Sequence, residues 1–234
     1  MHKHTNILPF VGETWITPLY RALTIFKNEI APVLRSRNIE LEKEGKKVTP
    51  EENSVFRAFN QTPFDSVRVV VVGQDPYPTR GDATGLAFDV PRSRKLAASL
   101  RNILNEIRTD VGESVAEGNE SSYLEHLPAQ GVLLLNKALT TDEGAMGAHI
   151  ALWKSFLAET VGALNKRPHL VWVLWGKKAQ ELMPLINPDH SVIIGPHPSP
   201  FSFKPNPKTG APGFEGGKYF SKINALIKGT TITW

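Results

Sequence analysis

Cysteine is absent from all 234 residues. That excludes disulfides, thiolate zinc sites, cysteine nucleophiles and thiolate-bound iron–sulfur clusters. No apolar run approaches the ~20 residues a membrane helix needs, so no membrane partner is expected. The first ten residues, MHKHTNILPF, lack the basic stretch and apolar run of a secretory signal,. Internal repeats and low-complexity tracts are missing too. These absences leave a cytoplasmic enzyme or binding protein. What is present is ordinary for a globular chain: 41% hydrophobic and 21% charged residues,. At this length one domain over residues 1–234 is expected, with a core large enough to need no covalent staple.

The net charge is only +4, but it is unevenly placed. Residues 1–196 carry 22 charges of each sign, whereas His197 to Trp234 holds five lysines (204, 208, 218, 222 and 228) against Glu215 alone. Such a local excess suits a phosphate-bearing partner, although a solvated face is the plainer reading.

Apolar spacing predicts a helix over Thr17–Leu34, followed by an exposed charged connection over Arg35–Lys47, so residues 1–48 form a helical appendage. Thr49-Pro50-Glu51-Glu52 has the pattern of a capping box opening a short helix. Four β-branched or apolar runs then read as strands buried on both faces: Val67–Gly73, Val132–Leu135, Leu170–Trp175 and Ser191–Ile194. Helical stretches fill the gaps at Lys95–Ile107, Leu152–Leu164 and Lys177–Leu185, and a last one covers Lys218–Ile227. Alternating strands and helices imply right-handed crossovers. The fold class expected is α/β, a three-layer α/β/α sandwich around a central four-stranded parallel sheet.

Ligands of open parallel sheets bind outside the carboxyl ends of the strands. There this chain places Asp75 after the first strand, Asn136 after the second, Gly176 after the third and His197 after the fourth. Gly176 reads as a strand-to-helix turn. Asp and Asn favour turns, and a histidine often only satisfies a neighbour. Three polar residues at one rim still make a polar site, hydrolytic in one reading. Prolines come after Asp75 (Pro76) and His197 (Pro198, Pro200), and they stiffen both loops.

GQDPYP at 73–78, GLAF at 85–88, GVLLLN at 131–136, VLWG at 173–176 and HPSPFS at 197–202 occur in this order. Together they resemble the family 1 uracil-DNA glycosylases over roughly Thr49 to Trp234. The resemblance implies an enzyme that flips deoxyuridine out of DNA and hydrolyses its N-glycosidic bond, with water as co-substrate and no metal or cofactor. Asp75 then matches the carboxylate that orients water and stabilises a cationic sugar. His197 matches a neutral donor to uracil O2. Asn136 matches the amide that reads O4 and N3–H, Phe88 the stacking ring and Tyr77 the ring packed against C5. Gln74 lies beside the flipped base. For DNA binding, Ser99, Ser199 and Ser202 match phosphate-contacting serines, Pro198 and Pro200 belong to the same loop, and Phe201 matches the apolar wedge. The partners implied are uracil-containing single- and double-stranded DNA and a proteinaceous inhibitor of such enzymes, with the chain acting as a monomer.

Several positions depart from the family pattern. Pro78 stands where histidine is usual, Lys137 where threonine is usual and Phe201 where leucine is usual. The segment Phe203–Gly213 is longer than expected, and the stretch Arg92–Ala98 before Ser99 is altered. Two readings of other classes remain: a hydrolase of small nucleosides, and a protein that binds DNA without cleaving it. The absence of cysteine excludes the iron–sulfur branches of the superfamily, and Asp75 excludes the branch with Asn there.

Overall fold

A computed structural model of the chain describes residues 11–112 and 121–234. The N-terminal ten residues, including the stretch read against a secretory signal, lie outside the described residues.

The strands are β1 (Val48–Thr49), β2 (Val69–Gly73), β3 (Val132–Asn136), β4 (Thr141–Asp142), β5 (Val171–Trp175) and β6 (Ser191–Gly195). Four of them form one parallel sheet in the order β3-β2-β5-β6, while β1 and β4 make a separate antiparallel pair. Every residue of β2, β3 and β5 is buried. A strand buried on both faces needs cover on both, and helices supply it. Among them are α2 (Tyr20–Ile25) packed with α6 (Ile150–Leu164), and α5 (Ala98–Val111) packed with α9 (Tyr219–Leu226). The fold is the expected α/β sandwich. Its β6 departs from expectation: it is an edge strand, with Val192 36% and Ile194 55% exposed. Val192 and Ile194 alternate along the strand and so share one face, which is left partly uncovered there,.

The N-terminal part is more helical than its periodicity suggests. Short α1 (Glu13–Ile16) and α2 lead into a π-helical turn at Phe26–Ile30 and then α3 (Ala31–Glu42). The charged stretch expected as a connection is therefore helical through Glu42. Charge does not oppose a helix that stays in solvent, and in α3 only Ala31 and Leu41 are buried,. The expected capping box does not form. Thr49 pairs with Thr141 in the β1–β4 ladder, and a 3₁₀ turn at Glu52–Ser54 precedes α4 (Arg57–Gln61) without a side-chain cap. The turn starts only at Glu52, with Glu51 in the cap position, so Thr49 lies too far upstream to cap it. The helix expected over Lys177–Leu185 is split into α7 (Lys177–Gln180) and a 3₁₀ turn at Met183–Leu185. Pro184 has no N–H for the carbonyl of Gln180 and would clash with it, which ends the helix. Helix α5 starts three residues later than its pattern and ends on Gly112, at φ +74°, a position that glycine adopts without steric cost.

Candidate active site

The parallel register brings the polar rim together. Gly73 at the end of β2 is the register partner of Asn136 at the end of β3. Any Cβ at Gly73 would run into Asn136 Oδ1, so the glycine makes room for this side chain. Asn136 is 5% exposed and its Oδ1 has no hydrogen-bond partner. A buried acceptor left unpaired costs about 1–3 kcal/mol, which marks Asn136 as a group prepared for an external donor. The ladder continues past the strand ends, with Lys137 N–H donating to Gly73 O (3.0 Å) and Ala138 N–H to Gln74 O (3.1 Å).

Asp75 lies two residues after Gly73. Its Oδ1 accepts from Gln74 Nε2 at 3.0 Å, and its Oδ2 accepts from the backbone N–H of Gly147. Burial pushes the carboxyl above its ordinary range, and the Gly147 and Gln74 bonds oppose that rise. Gly147 is not anticipated from the sequence, where its only signal is a glycine in a polar loop. Its φ of +80° explains the residue type,.

Phe88 occupies the left-handed region at φ +66°, where a bulky residue is strained,. Its neighbours hold it there. Ala87 N–H donates to Leu134 O in β3 (3.1 Å), and Tyr77 OH donates to the Phe88 carbonyl (3.2 Å). Buried Asp89 accepts from Thr84 OH and Leu124 N–H, each at 3.0 Å. The strained backbone turns the Phe88 ring toward Trp175 and His197, with centroids 5.8 and 5.9 Å away. Burial raises the Tyr77 hydroxyl above the ordinary phenol value, so it stays a neutral donor.

His197 Nδ1 accepts the Ser199 N–H at 3.0 Å. A neutral ring must then carry its proton on Nε2. Burial lowers its pKa, which favours that neutral form. Gly176, at φ +86°, lies directly against the imidazole, and a Cβ there would meet His197 Cβ at 2.9 Å. The turn glycine thus also makes space for the histidine. Asn102, another residue outside the sequence motifs, donates from α5 to Pro198 O at 2.7 Å. It ties the His197 loop to the helix that carries Ser99.

The remaining loop residues surround this cluster. Pro198 is buried, and Pro200 opens α8 (Pro200–Phe203) at its first position. Ser199 and Ser202 lie with their hydroxyls 3.3 Å apart. Phe201 is 100% exposed. Ser99 sits in the first turn of α5, where free backbone N–H groups can hold an anion,. The departures acquire structural partners. Lys137 is 7% exposed, and its Nζ bonds Lys178 O and Glu181 Oε2, each at 2.7 Å. Pro78 O accepts from Gly144 N–H at 2.9 Å. The long loop closes on Asn206, whose N–H donates to Ala211 O and whose Oδ1 accepts from Lys208 and Thr209 N–H. Lys204 pairs with Glu215 at 2.7 Å, which offsets part of the local basic excess. Among the described residues no cluster of His, Asp or Glu could hold a metal, and no helix is long and apolar enough to cross a membrane.

Residues 59–228 match the family described as the uracil DNA glycosylase superfamily. A protein named uracil-DNA glycosylase from Chlamydia pneumoniae is 39% identical over 220 residues, covering 92% of this chain and 84% of its own. One of the same name from Alkaliphilus metalliredigens is 38% identical over 232 residues, covering 98% of this chain and 92% of its own. A crystal structure of a mimivirus UNG variant in complex with UGI superposes with a TM-score of 0.80. It is 27% identical and covers 95% of this chain and 88% of its own.

Proposed function

The chain belongs to the uracil DNA glycosylase superfamily, and from that premise we propose that it removes uracil from DNA by hydrolysing the N-glycosidic bond, leaving an abasic site. A base stacked in a duplex exposes neither its edge nor its sugar carbon to a pocket, so the nucleotide must be extruded first. Phe88 then stacks on the base. Asn136 offers a donor to O4 and an acceptor to N3–H, a pattern that cytosine reverses. Tyr77, packed against C5, leaves no space for the thymine methyl. Gln74 stands beside the base and also holds Asp75. Asp75 orients the attacking water and stabilises the positive sugar as the bond breaks. His197 donates its Nε2 hydrogen bond to O2 as negative charge builds on the departing base, which is electrostatic preorganisation rather than proton transfer.

For the DNA itself, Ser99, Ser199 and Ser202 hold phosphates, Pro198 and Pro200 stiffen the loop that carries them, and Phe201 fills the gap left by the extruded nucleotide. The substrate is uracil-containing DNA, single- or double-stranded, met by a monomeric enzyme in the cytoplasm. The chain acts as one unit spanning 1–234. The N-terminal helices from α1 onward are no appendage to this unit but part of its core, with Trp15, Phe26 and Ile30 buried in the same cluster as the sheet. The complex of the mimivirus relative with UGI makes a protein inhibitor of the same kind a partner to expect here.

One observation carries this reading: the buried, unpartnered amide oxygen of Asn136 at the end of β3, at the sheet rim from which Asp75 and His197 also emerge. The test is a cleavage assay on single- and double-stranded oligonucleotides holding one U, T or C. Uracil alone should be released. Failure to release uracil from either form, or cleavage confined to free deoxyuridine, would overturn the proposal.

A further inference from the structure

The buried polar groups behind Asp75 form a chain that the reaction itself does not use. It begins on α3. Arg37 Nε and Nη2 lie 2.9 and 2.8 Å from Asp142 Oδ2, while Nη1 reaches Glu40 at 2.9 Å. Asp142 is 4% exposed, and its Oδ1 lies 2.9 Å from Nε2 of His149, itself 6% exposed. On the other side of the ring, Nδ1 lies 2.9 Å from Thr140 Oγ1, which accepts the Trp153 indole N–H at 2.7 Å. With one lone pair so occupied, the Thr140 hydroxyl is free to donate to Nδ1. A neutral His149 then carries its proton on Nε2, facing Asp142.

Asp142 and His149 are the two feet of a loop. Between them, Ala145 N–H donates to Asp142 O (3.0 Å), and Thr141 Oγ1 donates to Ala145 O (2.7 Å). The loop presents Gly147, whose N–H binds Asp75 Oδ2. The direction in which that carboxylate points is therefore set by where the loop holds Gly147. The loop's feet are in turn held by a buried carboxylate that depends on one arginine from the N-terminal helices.

We propose that Arg37, Asp142 and His149 are positioning residues for Asp75, acting through the Gly147 amide, so that the N-terminal helical segment takes part in orienting the catalytic carboxylate. The proposal rests on the assignment of Asp75 as that carboxylate. Removing Arg37 leaves Asp142 buried without its cation, a state relieved by shifting the loop. That shift moves the Gly147 N–H, and a misplacement of about 1 Å at a reacting group costs on the order of 10²-fold in rate.

Arg37 is the residue to change, because its side chain is 40% exposed and the helix around it is solvated. Arg37→Ala should lower kcat on a uracil-containing single strand by about 10- to 100-fold, with KM changed by less than about 3-fold. Arg37→Lys, which keeps the charge without the forked geometry, should recover a large part of the loss. In an Asp75→Asn background the further change Arg37→Ala should cost nothing more, since the group being positioned is already gone. A purely structural role predicts the same fractional loss in both backgrounds. Equal losses, a loss confined to KM, or parent-like kcat in Arg37→Ala would each overturn the proposal while leaving the Asp75 assignment intact. Full turnover by Asp75→Asn would instead remove the assignment and the proposal together.

Discussion

Asp75 is under opposing demands. Its proposed role needs the anion, yet burial favours the neutral acid, and the bonds from Gly147 and Gln74 only partly restore the balance. The acid limb of kcat should therefore fall above the ordinary aspartate value of ~3.9, measured as single-turnover rate against pH. Because the folded-state pKa is raised, the folded chain holds this proton more tightly than the unfolded chain does. The group's contribution to stability consequently declines as pH rises from the unfolded value through the raised one. Asp75→Asn removes that decline, so it should melt no lower than the parent at neutral pH. The same variant should lose ~10²–10⁴-fold in kcat while retaining affinity for uracil-containing DNA. His197 behaves in the opposite sense. Burial keeps its imidazole neutral, so the rate should stay level above the ordinary histidine value of ~6.5,. A one-proton decline across that range would show that the ring acts as an acid.

At the scale of elements, α8 is one turn long. Proline at its first position and the Ser202 N–H to Ser199 O bond (3.0 Å) fix the turn, and Phe201 stands wholly in solvent at its tip. A fully exposed Phe adds nothing to the core, and the proposed function gives it a place in the gap left by the extruded nucleotide,. Stacking of an aromatic ring on a base is worth ~1–3 kcal/mol, or ~5–150-fold in rate or affinity. Phe201→Ala should therefore slow cleavage of uracil in duplex DNA within that range, with a much smaller effect on single strands. Phe201→Leu should restore most of the duplex rate. Equal losses on both substrates, accompanied by a lower Tm, would mean that Phe201 packs within the protein.

At the scale of the whole molecule, the described residues share one apolar interior. Trp15, in the N-terminal segment, is wholly buried, donates its indole N–H to Thr62 O at 2.7 Å and meets Phe59 edge-on at 4.9 Å. Phe26 stacks on Trp153 of α6 at 5.7 Å. The N-terminal helices thus complete the core that α4 and α6 begin. Trp15→Ala should destabilise the chain by about 3–5 kcal/mol, as large-to-small changes in packed cores do. Calorimetry should still show one transition, shifted downward as a unit. A separate early transition for the N-terminal segment would mean that it folds as an independent layer.

The strands, their parallel arrangement and the rim at which Asp75, Asn136 and His197 emerge were legible from the residues alone. Runs of Val, Leu and Ile buried on both faces leave few alternatives to a covered parallel sheet, and chain order then dictates which residues leave the end of each strand. The ordered motifs carried the resemblance and the proposed roles. Other features were decided only by contacts distant in sequence. Thr49 became a strand residue because Thr141 lies opposite it. The charged stretch after Leu34 became a helix whose Arg37 reaches Asp142, 105 residues away. Gly73 reads as a strand end, Gly176 as a turn, and Gly147 was not anticipated, yet the space or contact each provides is set by Asn136, His197 and Asp75 approaching from other segments. Local patterns report the face a residue prefers, whereas the partner it meets depends on how the layers pack. The residues proposed to act were therefore legible along the chain, while the contacts that hold them arose only in three dimensions.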